Sequence, residues 1–211
     1  MSVERALVLA KPDAVCLRQA PITAVETLLK SINGGKLLCF EHHVVPTELA
    51  EQHYEEHKGK GFFPKLLNFI CNPNGVIVMV FEGVNAVKTI REVFGPTFVE
   101  KAIQVECLRG KFGSCGGINC FHSSDSAESG ARETKLWVDY FKIELNEEKA
   151  KKAFDEYKAK YDGKYKCDVS KVRDIIKKIK ADSEEYVNAM KELSDCDDFL
   201  IKQLLASIIL N

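Results

Sequence analysis

The run Arg109-Gly110-Lys111-Phe112-Gly113 is followed by Gly117-Ile118-Asn119-Cys120-Phe121-His122-Ser123-Ser124-Asp125, and together they gather residue types that phosphate chemistry needs. A neutral imidazole is already a good nucleophile near pH 7. A short strand over Ile118–Phe121 delivers His122 to its end. Three residues later Asp125-Ser126-Ala127-Glu128 has the character of a capping box, so a helix starts there. The free N–H groups and positive dipole end of a helix start suit a phosphate. Arg109 and Lys111 add positive charge nearby in sequence. An arbitrary histidine is usually a packed or solvated ring. Here strand end, glycines, asparagine, basic residues and helix start converge on a single one.

Such a histidine needs a scaffold, and the hydrophobic pattern supplies one. Residues 4–10 read as a short buried strand ended by Lys11-Pro12-Asp13. Residues 21–33 carry Ile22, Val25, Leu28, Leu29 and Ile32 at helical spacing, and Gly34-Gly35 stops that helix. Residues 36–45 form a second strand, Thr47 to His57 a helix and Phe62 to Ile70 another. GVIVMVFEG, opened by Gly75, is near-continuously apolar and is the best central strand. Asn85 to Phe94 is a helix closed by Gly95-Pro96, residues 97–108 are ambiguous, and the helix after His122 runs through Trp137. These are too few βαβ units for a doubly wound sheet. An α+β, ferredoxin-like four-stranded antiparallel sheet covered by helices fits better.

Composition excludes several classes. Lys+Arg is 30 against Asp+Glu 31, which argues against dedicated nucleic-acid binding. No apolar run approaches the roughly 20 residues of a bilayer span, so no membrane role is expected. Met1 to Arg5 leads almost directly into the first strand without a secretory leader, and a cytoplasmic location is expected. Eight cysteines lack any C-x-x-C pair and often interrupt apolar runs, which reads as reduced, mostly buried thiols. There is no G-x-x-x-x-G-K-[ST], H-R-D or D-F-G, so the chain is neither a P-loop kinase nor a protein kinase. His53-x-x-x-His57 has metal-ligand spacing but Tyr54 stands where H-E-x-x-H has its glutamate, so no direct metal ligand is expected.

Five separated blocks, in order, resemble the nucleoside diphosphate kinase family. ERALVLAKPDAV resembles its opening strand and K-P-D turn, and EQHYEEHKGKGFFPKLLNFI its nucleotide-gripping helix pair. VIVMVFEGVNAVKTIREVFGPT resembles its central strand and next helix. RGKFG and GINCFHSSDSAESGARETKLW resemble its active-site segment, including the N-x-x-H-x-S-D-S-x-E signature. The likeness covers residues 4–141. It implies that His122 takes the γ-phosphate of a nucleoside triphosphate and passes it to a nucleoside diphosphate by a ping-pong route. It further implies that Glu133 orients the ring, with Ser124 in the same network and Tyr54 near the histidine. Lys11, Arg91 and Arg109 would neutralise the transferring phosphoryl group. Thr97 would bond a phosphate, Asn119 the ribose side, and Phe62 would stack the base without reading its identity. Mg2+ is implied as cofactor, carried on nucleotide phosphates and water, with Asp125 reaching its hydration shell. A homo-oligomer, dimer or hexamer, is also implied.

The chain departs from the family in places. Ala14 to Pro21 replaces an arginine-glycine turn, Lys60-Gly61 replaces Arg-Pro, and Ser123 replaces a glycine. The loop between Thr97 and Arg109 lacks the proline that braces a trimer contact. Residues 1–141 read as the kinase domain and residues 142–211 as a helical C-terminal extension. The extension holds 15 basic and 15 acidic residues, so it is not a charged tail. Its apolar stripes predict three or four helices in a small bundle: Ala150, Phe154, Tyr157 and Tyr161; Val172, Ile175, Ile176 and Ile179; Tyr186, Val187, Met190 and Leu193; and the run from Phe199 to Leu210. An alternative function is a nucleotide-binding scaffold whose C-terminal helices recruit a partner. The intact set of His122, Lys11, Arg91 and Arg109 favours the enzyme, because a scaffold has no physical need for it.

Overall fold

The computed structural model describes residues 2–164 and 169–179. Strands β1 (Val3–Ala10), β2 (Asn33–His43), β3 (Val76–Val84) and β4 (Phe121–Ser123) form one antiparallel sheet in the order β2-β3-β1-β4. This is the expected ferredoxin-like arrangement. The helices are α1 (Pro12–Leu17), α2 (Gln19–Ser31), α3 (Thr47–His53), α4 (Phe63–Ile70), α5 (Ala86–Phe94), α6 (Val99–Ala102), α7 (Leu108–Phe112), α8 (Ala127–Phe141), α9 (Glu147–Tyr161) and α10 (Val169–Ile179). A 3-10 turn at Glu55–His57 follows α3. No described helix is long and apolar enough to cross a membrane.

β1 is apolar without a break because its alternating side chains enter two different cores. Ala6, Val8 and Ala10 face a cluster that includes Leu28 of α2, Ile90 of α5 and Phe154 of α9. Leu7 and Leu9 face Leu49 of α3, Ile70 of α4 and Trp137 of α8. A Cβ at Gly130 would stand 2.8 Å from the Arg5 carbonyl oxygen, so glycine there lets α8 lie close against β1.

Several boundaries differ from the sequence reading. Lys11-Pro12-Asp13 ends β1, but Pro12 also starts α1, a position where its missing N–H costs nothing. Gly34-Gly35 belongs to β2, within a register shift between Asn33 and Lys36, and α2 ends instead at extended Ile32. Residues 97–108 resolve into α6 and the start of α7, whose N-cap Cys107 accepts the Gly110 N–H through sulfur. The cap of α8 is Ser126 paired reciprocally with Ser129, not Asp125 with Glu128. β4 begins at Phe121 rather than Ile118, and Ile118 instead bridges Cys115.

The first helix of the extension packs on the same core as the sheet. Asn146 caps α9 and donates its backbone N–H to Leu38 of β2. Phe154 and Tyr157 set their rings edge-on to Phe40, 5.5 and 5.4 Å between centroids. In α10, Val172 and Ile176 are buried. The stripes at Tyr186–Leu193 and Phe199–Leu210 lie outside the described residues. Cys39 and Cys120 are buried free thiols, as expected of reduced cysteines, and Cys71 and Cys107 are partly exposed ones. Cys167 and Cys196 lie outside the described residues.

Candidate active site

His122 stands in the middle of β4, paired with Leu9 of β1, rather than past the end of a strand. Its place is set by an unusual turn. Cys120 has φ 71°, and the Phe121 N–H donates to the Asn119 carbonyl at 2.9 Å, an i to i+2 bond that defines a γ-turn. A cysteine at positive φ costs energy that neighbouring contacts must offset. Asp13 accepts the Cys120 N–H at 2.7 Å, and the Lys11 N–H donates to the Cys120 carbonyl at 2.8 Å. The K-P-D segment thus locks the turn that leads into the histidine.

Glu133 Oε2 lies 2.8 Å from His122 Nε2 and accepts the Ser124 hydroxyl at 2.8 Å. Burial pushes the Glu133 carboxyl up. Hydrogen bonds from His122 and Ser124 outweigh this and hold it below the usual range. An ionised carboxylate only accepts, so Nε2 of His122 carries the proton and Nδ1 keeps the lone pair. The arrangement therefore fixes which ring nitrogen is the nucleophile.

His53 belongs to this array although its spacing to His57 suggested otherwise. α3 ends at His53, so the two histidines do not share a helix face. The His53 ring lies edge-on to His122 at 4.5 Å, and the Trp137 indole N–H donates to its Nδ1 at 3.1 Å. Burial holds His53 well below its ordinary pKa, so the ring is neutral. An indole only donates, so the ring proton sits on Nε2, which has no hydrogen-bond partner. His53, His122 and Glu133 bring potential metal-ligating atoms within 4.8 Å of one another. Within the trio only His122 and Glu133 are hydrogen-bonded, and the lone pair of His53 Nδ1 is taken by the indole N–H.

Of the expected site residues, all but Ser124 line one cleft of about 540 Å³; Ser124 lies behind it, fully buried. Lys11 Nζ donates to the Gly117 carbonyl at 2.7 Å, and burial lowers its pKa to about 8. Arg109 spans the Gly95 and Phe121 carbonyls at 2.8 and 2.9 Å. Burial and the neighbouring Arg91 charge lower its pKa to about 10, which still leaves it charged at neutral pH. Arg91 is exposed at the cleft. Asn119 donates to the Thr97 carbonyl at 2.5 Å, while its buried Oδ1 has no partner. Phe62 is 51% exposed and Phe98 57%, and both line the cleft. Tyr54 stands edge-on to His122 at 6.0 Å. Asp125 is exposed and takes a short hydrogen bond from Ser129, which holds its carboxyl below the usual range.

His53, Trp137, Phe98 and Ser123 were missed as site residues. Ser123, next to the nucleophile, lines the cleft with a buried hydroxyl that has no partner. An exposed phenylalanine directly after Thr97 was a readable signal. The inward turn of His53 was not, because it depends on where α3 stops.

A sheet of this topology, a carboxylate-held histidine and a cluster of buried cations define a phosphotransferase site. The family model described as "Nucleoside diphosphate kinase" matches residues 4–143. The chain is 42% identical over 137 residues to the nucleoside diphosphate kinase of Staphylococcus epidermidis, spanning 64% of this chain and 87% of that one. It is 43% identical over 136 residues to that of Caldanaerobacter subterraneus, spanning 64% and 94%. Among solved structures, the Aquifex aeolicus nucleoside diphosphate kinase superposes with TM-score 0.59 at 31% identity, over 64% of this chain and 95% of that one. The Halobacterium salinarum enzyme, solved in complex with CDP, superposes with TM-score 0.56 at 32% identity, over 65% and 89%. The chain belongs to the nucleoside diphosphate kinase family.

Proposed function

We propose that this chain transfers the γ-phosphoryl group of a nucleoside triphosphate to a nucleoside diphosphate through a phosphohistidine on Nδ1 of His122. The observation that carries this reading is the 2.8 Å contact of His122 Nε2 with Glu133, which leaves Nδ1 unprotonated in a cleft holding Lys11, Arg91 and Arg109.

In the first half-reaction the Nδ1 lone pair forms a bond to the γ-phosphorus. The bond from that phosphorus to the β–γ bridging oxygen breaks, and the nucleoside diphosphate leaves with the bonding electrons. Nε2 keeps its proton throughout, and the ionised Glu133 stabilises the positive charge the ring gains. In the second half a terminal phosphate oxygen of another nucleoside diphosphate attacks the phosphohistidine, and Nδ1 regains its lone pair. Lys11, Arg91 and Arg109 neutralise charge on the phosphoryl group in flight. Thr97 bonds a phosphate, and the unpartnered Asn119 Oδ1 accepts from a ribose hydroxyl. Phe62 stacks the base, Tyr54 packs beside the histidine, and Ser124 holds Glu133.

Among the carboxylates of the cleft, Glu133 is committed to His122 and Ser124, whereas Asp125 is solvated. That donor set fits Mg2+, which retains waters and arrives on the nucleotide, with Asp125 reaching its hydration shell. When bound, the ion neutralises phosphate charge and holds the phosphates in a reactive geometry.

We further take residues 1–141 as the kinase unit and residues 142–211 as its extension. Exposed Ile103 and Val105 support a homo-oligomer, dimer or hexamer, and the free thiols support a cytoplasmic setting. The test is turnover of ATP with GDP. Parallel double-reciprocal lines and loss of turnover in His122→Ala are expected. Intersecting lines, or full turnover in that variant, would overturn the reading.

A further inference from the structure

We propose that Arg173, in the extension beyond the family-matched region, is a positioning residue for the phosphate site, acting by bracing the helix that carries Arg109. The inference rests on the functional reading above, in which Arg109 meets the phosphoryl group.

The last carbonyls of a helix have no partner within it and need one from outside. α7 has five residues, and beyond it the chain runs through irregular backbone to Asn119 and Cys120. Arg173 supplies two of the missing donors. Its Nη2 donates to the Gly110 carbonyl at 2.5 Å and its Nε to the Gly113 carbonyl at 2.8 Å. A cation at a helix C-terminus is favoured by the helix dipole as well. The rigid guanidinium fork reaches two carbonyls three residues apart, which a lysine, with its single nitrogen, does less well.

The segment also packs closely on α6. A Cβ on Gly110 would stand 2.4 Å from the Ala102 carbonyl oxygen, and one on Gly113 2.6 Å from the Val99 side chain. The segment is therefore held by α6 as well as by Arg173. What it carries is the phosphate site: Arg109 at one end, Asn119 at the other, and between them the Gly117 carbonyl that accepts Lys11. Arg173 itself is anchored, because Val172 and Ile176 of α10 are buried and Val169 packs on the main core.

Among the described residues of the extension none lines the cleft, yet Arg173 sets where Arg109 stands. By linkage, docking of α10 and binding of a nucleotide's phosphates favour one another.

A double-mutant cycle on the full chain tests this, with Arg173→Ala, Arg109→Ala and the pair, assayed for kcat/KM with ATP well below the melting temperature. Arg173→Ala is expected to lower kcat/KM by roughly tenfold, since small misplacements of a positioning group cost that much or more. Arg173→Lys should recover part of the loss. In the Arg109→Ala background the same Arg173 substitution should have a clearly smaller effect, because only the share acting through Asn119 and Lys11 remains. Where Arg173→Ala does not fold, Arg173→Gln, which keeps one donor nitrogen, takes its place in the cycle. Losses that multiply independently, or an Arg173 variant with unchanged kcat/KM, would overturn the inference while leaving the phosphate site intact. If Arg109→Ala itself has no effect, the phosphate-site reading fails and this inference with it.

Discussion

The Asp13 carboxylate accepts the Cys120 N–H at 2.7 Å, joining the first turn of α1 to the positive-φ turn two residues before His122. Asp13 is fully buried, so removing its side chain strands that N–H without water. Asp13→Ala is expected to cost about 2 kcal/mol of stability in urea unfolding and to lower kcat as the turn relaxes. Adding Cys120→Gly should recover part of the loss, because glycine adopts positive φ freely. Unchanged stability and kcat in Asp13→Ala would show that the turn holds itself.

Lys11 gives the site a pH dependence with a definite sign. Burial brings its pKa from 10.5 down to about 8, while a bound phosphate favours its charged form. Nucleotide kcat/KM should therefore fall as pH rises through about 8. Stability runs the other way. Between pH 8 and 10.5 the unfolded chain holds the proton that the folded chain has lost, so the Lys11 contribution favours folding increasingly as pH rises. Lys11→Gln should have a lower kcat/KM throughout and no step near that pH. A step that persists in Lys11→Gln would assign it to another group.

The signature around His122 was legible because its parts are contiguous. Strand, nucleophile and helix start fall within a few turns of chain, whereas the roles of Ser124 and Glu133 came from the resemblance to the family. The four strands were legible from their apolar runs. Less so was anything decided by backbone shape. Cys120 adopts a conformation that residue type does not announce, and β4 therefore starts three residues later than apolarity suggested. His53 joins Trp137 across 84 positions, which no local pattern encodes. The change in texture at residue 142 marked a compositional boundary, whereas α9 continues the main core.

That shared core makes the extension a determinant of stability. Phe154 is 7% exposed and packs edge-on to Phe40. Phe154→Ala is expected to cost about 3–5 kcal/mol and to lower the melting temperature accordingly. Truncation after Phe141 should lower it further, with a reduced but measurable phosphotransfer rate. Identical melting curves for the full and truncated chains would contradict the packing of α9 on β2.

Phe62 stands half exposed at the cleft, and stacking does not depend on base identity. ATP, GTP, CTP and UTP should serve within about tenfold of one another in kcat/KM. Phe62→Ala should raise KM for all four alike. A strict preference for one base would mean that polar groups read the base edge.

The most direct test of the mechanism is the location of the phosphate. The enzyme is incubated with ATP, quenched in alkali and examined by tandem mass spectrometry. The expected result is a phosphoryl group on His122, stable in alkali, lost in acid, discharged by GDP to give GTP, and absent from His122→Ala. An acid-stable phosphoryl group, or one retained in His122→Ala, would contradict a phosphohistidine on this residue.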